Sequence, residues 1–225
     1  MFITGIPLWA AETNAWVIAS EKGGQAVVVD APPDVNGVAG LLSEHDLTPV
    51  AVLVSHGHVD HVGGAGGLTG RYAMSAYIHP DDEFLYADPA QQMRQLWGFE
   101  IPGDYAPPER WESLADRSSI ELAGFGFDVL HTPGHSPGHC CFYVQGEGVL
   151  FSGDQLFAGS IGRTDLPGGD YDTLMASMRD RIVPLDPAVE IFPGHGATTT
   201  LAGELATVIG SESGAVEIYR LRQDP

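Results

Sequence analysis

The sequence predicts an α+β fold, and three observations carry that prediction. Short apolar strands recur in both halves of the 225 residues, helical spacings interrupt them in both halves, and no sharp composition break divides the chain. No internal repeat of solenoid length is present either. This pattern fits two sheets with helices outside. The length suits one domain, residues 1–225, with room for a sizeable core.

Asn14–Ser20 and Gln25–Asp30 read as strands of a hairpin around the turn at Glu21–Gly24. Val35–His45 has helical spacing, with Val38, Leu41 and Leu42 on one face. Val50–Val54 is a buried strand, Val62–Gly70 starts a helix, and Met74–Ile78 is another strand. Residues 85–115 read as irregular, with Pro89, Pro102, Pro107 and Pro108 as breakers. Ser119–Leu122, Gly126–His131, Cys140–Val144 and Gly148–Ser152 form a run of short strands. Asp172–Ile182 reads as a helix, Val189–Phe192 as a strand and Thr200–Ile209 as a final helix.

A composition of 44% hydrophobic and 18% charged residues is that of a globular chain, not a disordered one. Thirty acidic against ten basic residues give a formal charge of −20, and Lys22 is the only lysine. Such a surface repels phosphates and anionic headgroups, so neither nucleic acid nor a membrane is an expected partner. Cys140 and Cys141 are adjacent, which disfavours a disulfide and suits packing in a reduced, cytoplasmic setting. The opening MFITGIPLWAAETNAW has no basic n-region, so a signal peptide is not expected. No apolar run approaches the ~18 residues of a membrane span.

The chemistry concentrates at SHGHVDH, residues 55–61, directly after the strand Val50–Val54. His56, His58, Asp60 and His61 on one loop have no apolar face to bury, but neutral imidazole and carboxylate are good donors to zinc or iron. His56 and His58 project to one side of an extended loop, and a turn after Val59 carries Asp60 and His61 to a second position. Downstream, the pattern of apolar strand, small residue and metal-seeking side chain returns. It gives His135 in TPGH, Asp154 in SGD and His195 in PGHG.

The order HxHxDH, TPGH, SGD, PGHG resembles the metallo-β-lactamase fold superfamily, and in detail its short glyoxalase II-like (hydroxyacylglutathione hydrolase-like) branch. The resemblance spans residues 56–195 and implies a four-layer αββα sandwich. It also implies that His56, His58 and His135 hold one metal, that Asp60, His61 and His195 hold a second, and that Asp154 bridges them. The expected cofactor is two divalent ions, zinc first, with iron or manganese accepted by the same donors. Two divalent cations, the carboxylates of Asp60 and Asp154 and one hydroxide leave a net positive charge for a developing oxyanion. The expected reaction is hydrolysis of a small-molecule thioester by metal-bound hydroxide, with Asp60 and Asp154 as the catalytic carboxylates.

Two other readings stay open. One is a persulfide dioxygenase of the same superfamily with a single iron, onto which His135 and Asp154 map; the other is a metal-binding scaffold without turnover. A β-lactamase fits less well, because Asp154 stands where those enzymes commonly carry a different ligand. Arg163, in GRTD, either binds a substrate carboxylate or pairs with Asp165 to fix its loop. His139 either orients a ligand or is structural, while His45, His79 and His131 read as surface or satisfied core residues. The aromatics of residues 85–115 are a pocket wall, core packing or a homodimer contact. Full-length glyoxalase II enzymes carry a basic C-terminal helical region for glutathione. Here thirty residues follow His195, with Arg220 and Arg222 their only basic groups, so glutathione recognition by that route is not expected. Asn14-Ala15 also stands where the family often has Asn-Cys.

Overall fold

The computed structural model describes residues 1–207, and its architecture is two six-stranded sheets packed face to face between helices. The first sheet runs in chain order: β1 (Phe2–Leu8), β2 (Thr13–Ala19), β3 (Gln25–Val29), β4 (Thr48–Leu53), β5 (Ser75–Ile78) and β6 (Trp111–Ser113). Its first three strands are antiparallel and β3 to β6 are parallel. The second sheet begins with β7 (Ser119–Leu122), β8 (Phe125–His131), β9 (Cys140–Val144) and β10 (Val149–Gly153). A two-stranded ribbon of β11 (Leu156–Phe157) and β12 (Ser160–Ile161) follows. Then β13 (Glu190–Pro193) and β14 (Thr199–Thr200) complete the order β14-β13-β10-β9-β8-β7. Only β10 and β13 pair in parallel in that sheet.

The helices are α1 (Val35–Glu44), α2 (Val59–Val62), α3 (Ala65–Tyr72), α4 (Glu83–Tyr86), α5 (Pro89–Trp97), α6 (Tyr171–Ser177) and α7 (Leu201–Thr207). Alternation along the strands makes the layers. Val27 and Val29 face the second sheet, where they meet Phe127, Phe142 and Phe151, while Val28 faces α1 and α3 with Val38, Leu42 and Leu68. The outer face of the second sheet, with Leu150 and Ile191, packs on Met178 and Ile182 in a π-helical turn that continues α6. The αββα sandwich is therefore present. Adjacent Cys140 and Cys141 are both buried and unpaired, and they face opposite layers.

The structure corrects the element expectations at three places. Strand β1 was not expected; it is a partly buried edge whose Gly5 sits opposite Trp16, so it lacks a clean alternation. The helix expected over Val62–Gly70 is observed as α3, which starts only at Ala65 and is separated from α2, because the Gly64 amide donates to the Ala31 carbonyl (2.8 Å). Residues 85–115 are irregular only in part: 98–110, with Pro102, Pro107 and Pro108, hold no helix or strand, but α4, α5 and β6 occupy much of the rest. Pro89, expected to break structure, opens α5 at the first turn behind an Asp88 cap that accepts from the Gln91 amide, and Gly98 closes it at φ 72°. Of the final expected helix, Leu201–Thr207 is observed and residues beyond 207 lie outside the described part. No helix among the described residues is long and apolar enough to cross a membrane.

Candidate metal centre

Four chain segments meet at one rim of the sandwich: the loop after β4, the β8–β9 loop, the residue after β10 and the loop after β13. Each strand is anchored in a sheet, so each loop leaves from a fixed point. Backbone hydrogen bonds then tie the two sheets together at the rim, Cys140 N to Ser55 O (2.7 Å) and Asn14 N to Gly194 O (2.7 Å). Gly194 is required there, since a Cβ would lie 2.3 Å from Asp154 Oδ1 and 2.6 Å from the His61 ring.

All seven expected side chains come together. His135 Nε2 lies 3.1 Å from His56 Nε2 and 2.9 Å from His58 Nδ1. His61 Nε2 lies 3.3 Å from His195 Nε2, and each of these nitrogens is 3.3 Å from Asp60 Oδ2. Asp154 stands between the two groups, with Oδ1 3.3 Å from His61 Nε2 and Oδ2 3.5 Å from His135 Nε2 and 3.6 Å from His195 Nε2.

The surrounding hydrogen bonds set the tautomers. Ser55 Oγ donates to Asp30 Oδ2 (2.9 Å), so it accepts from His56 Nδ1 (3.0 Å), which leaves a bare lone pair on His56 Nε2. His135 Nδ1 donates to the Arg163 carbonyl (2.7 Å), which leaves another on His135 Nε2. Two such lone pairs 3.1 Å apart repel unless a cation lies between or beside them. Asp154 Oδ1 is also buried without a hydrogen-bond partner, and His58 turns its Nδ1 toward the cluster. The donor set thus fits a pair of cations, one among His56, His58 and His135 and one among Asp60, His61 and His195.

Electrostatics divide the centre in the same way. Burial lowers His56 far below the usual histidine range, takes His58 to about 3 with help from His135, and takes His135 to about 4. These imidazoles are neutral, as ligands must be. At the other end burial opposes the charged forms, but Asp154, Asp60 and Asp30 outweigh it and hold His61 well above its usual value. Burial likewise opposes the Asp60 anion and is outweighed by His61 and His195, which keep that carboxyl ionised.

Several supporting groups have no motif signature. Asp30, buried at the end of β3, accepts from the Ser55 amide (2.7 Å) and from His61 Nδ1 (2.9 Å) and so aims His61. Asp82 accepts from the Gly57 amide (2.8 Å), the Ser136 hydroxyl (2.7 Å) and the Gly138 amide (2.6 Å), clamping the two ligand loops to each other. Gln92 on α5 accepts from the Val59 amide (2.7 Å) and donates to the Gly57 carbonyl (2.9 Å). Thr13 Oγ1 donates to Asp60 Oδ2 (2.8 Å).

His139 lies beside the cluster without joining it; its Nε2 accepts from the Asp154 amide (3.0 Å) and its Nδ1 meets Thr132 Oγ1 (2.8 Å). The Arg163 guanidinium is more than half exposed and forks onto Asp165 (2.6 and 2.7 Å), while its carbonyl holds His135. His79, Asp81 and His131 form a third grouping, but the His79 and His131 rings stack in parallel at 4.1 Å. Their lone pairs lie in parallel planes and do not converge on one point. His131 Nε2 donates to Pro137 O (2.8 Å), and His79 Nδ1 accepts from the Asp81 amide (3.3 Å).

A strand-and-loop sandwich with this seven-residue cluster at its rim defines a metal-binding hydrolase fold, and comparison with known proteins agrees. The family model of the metallo-β-lactamase superfamily matches residues 9–195, and the chain belongs to that superfamily. Hydroxyacylglutathione hydrolase GloC of Haemophilus influenzae is 36% identical over 206 residues, covering 91% of this chain and 95% of its own. Among solved structures, BLEG-1 B3 metallo-β-lactamase is similar with a TM-score of 0.83 and 37% identity, over 91% of this chain and 97% of that one. TTHA1623 in a di-iron-bound form has a TM-score of 0.78 and 37% identity, over 91% and 98%.

Proposed function

We propose that the chain is a dinuclear metal hydrolase of small-molecule thioesters, with neither nucleic acid nor a membrane as partner. The observation that carries this reading is Asp154, whose carboxylate stands between two complete donor groups, with Oδ2 3.5 Å from His135 Nε2 and 3.6 Å from His195 Nε2. His56, His58 and His135 would hold one divalent ion, Asp60, His61 and His195 the other, with Asp154 between them. Bound there, a zinc, iron or manganese pair supplies an acidified water and polarises a carbonyl.

The chain's own residues prepare that chemistry. Asp30, Ser55 and the Arg163 carbonyl fix three imidazoles as Nε2 donors, so no reorientation is needed when substrate arrives. Asp60 and Asp154 supply the anionic charge, and Thr13 keeps Asp60 in place. The departing thiolate needs no general acid, because a thiolate is a weak enough base to leave unprotonated at neutral pH. The pairing of Arg163 with Asp165 supports a loop-fixing role, with an anionic substrate group as its alternative partner. The relative named hydroxyacylglutathione hydrolase supports thioester chemistry.

A second reading, β-lactam hydrolysis, is favoured by the similarity to a structure titled B3 metallo-β-lactamase. One experiment separates the readings: metal analysis of the purified protein, followed by turnover of an S-lactoyl thioester and a β-lactam. Two metal equivalents with thioester cleavage are expected. One iron equivalent with oxygen uptake on a persulfide, or β-lactam cleavage alone, overturns the assignment.

A further inference from the structure

A cavity of about 480 Å³ opens beside the candidate centre, and His58 lines both. That volume is in the range of small-molecule sites. Its walls come from α4, α5 and the loop at Pro167. Phe84 and Leu96 line it with apolar surface and are themselves exposed (57% and 37%). Gln91 and Gln95 add exposed amides to the rim, whereas the Gln92 amide is committed to Gly57, Val59 and Leu85. Asp88 is the one charged residue in the lining, and no lysine or arginine among the described residues contributes to it.

We infer that this cavity receives the thiol-carrier arm of the substrate, and that the arm is an uncharged or cationic amphipathic chain rather than a polyanion. The inference rests on the thioesterase reading. Its geometry follows from His58: a carbonyl reacting at the centre leaves the longer arm to run along α5. Its charge preference follows from the lining. A carrier with several carboxylates or phosphates would meet Asp88 without a compensating cation, in a chain of formal charge −20. Like-charge juxtaposition of this kind slows encounter and rejects wrong partners. Apolar walls and amide rims instead suit a chain of methylenes and amides.

The test uses metal-loaded full-length protein and one acyl group carried on N-acetylcysteamine, on the quaternary-ammonium thiol thiocholine, or on glutathione. The neutral and cationic thioesters should exceed the glutathione thioester in kcat/KM by roughly tenfold or more, with the gap narrowing as salt is raised. Two variants probe the lining. Asp88→Asn keeps the helix cap, since Asn and Asp cap equally well, but removes the charge. Gln95→Arg adds a cation on the same rim. Both should improve the glutathione thioester selectively. Binding of the S-methyl thioethers of glutathione and N-acetylcysteamine, measured by calorimetry, gives a readout independent of turnover. Thioester hydrolysis with glutathione preferred, or variants that shift all carriers equally, overturns this inference alone. Absence of all thioester turnover overturns the thioesterase reading. The thioether affinities then still decide the charge preference of the cavity, and tighter binding of the glutathione derivative rejects it.

Discussion

Asp82 shows how much of a site can rest on one side chain that is not in it. Its carboxylate holds Gly57, which separates His56 from His58, and also Ser136 and Gly138, which follow His135 in its loop. Burial raises its pKa, offset by those three hydrogen bonds. Asp82→Asn places an amide donor against backbone donors. We expect metal affinity in chelator competition to fall by about 10- to 100-fold, as for other groups that orient ligands. A folded variant with unchanged affinity would remove Asp82 from this role. His79 offers a pH test away from the centre. Burial first, then His131, lowers its pKa. The unfolded chain therefore binds that proton more readily, so the contribution of His79 is full above about pH 6.5 and is lost as pH falls toward its folded pKa. His79→Gln should flatten the acid limb of stability against pH, measured by urea unfolding; an unchanged limb refutes the assignment. The seven clustered donors were legible because their residue types have no packing purpose in loops. Asp30 and Asp82 were not, because a buried carboxylate is spelled like a surface one until its partners arrive from residues 55–61 and 136–138.

At the level of elements, α5 links the cavity wall to the ligand loop. Gln92 takes the Val59 amide at the start of α2, a helix whose N-terminal residue His58 provides no side-chain cap of its own. Gln92→Leu should strand buried donors and acceptors and cost about 1–3 kcal/mol for each group left unpaired. Chemical denaturation checks this, and a loss within ±0.5 kcal/mol, the usual range for surface changes, would contradict it. The same helix marks the limit of sequence reading. Pro89 looked like a breaker because proline interrupts a helix interior, and only the Asp88 cap and the left-handed Gly98 show that it opens this one. Strands β3, β4, β9 and β10 were legible because both their faces are buried and their composition is continuous and apolar. Edge strand β1 is partly exposed throughout most of its length and gave no such run.

Across the whole molecule, the formal charge of −20 is the dominant electrostatic fact. Self-repulsion opposes the compact state, and salt screens it as the Debye length falls from ~30 Å at 0.01 M to ~8 Å at 0.15 M. The midpoint of thermal unfolding should therefore rise over that range, as scanning calorimetry would show; a falling midpoint would mean that local ion pairs outweigh global repulsion. The sandwich itself was implied by the family resemblance, whereas the pairing of sheets through Asn14, Ser55 and Cys140 depends on contacts between residues far apart in the chain.

Cys140 and Cys141 stand back to back on β9, one sealed between the sheets and the other under the outer helices. Burial raises both thiols, Cys141 to about 12, so neither reacts while its compartment stays shut. The molecule thus carries two native reporters of breathing, a single bond apart in sequence yet on opposite sides of a wall. Alkylation rates in Cys140→Ser and Cys141→Ser proteins would time the opening of each chamber separately.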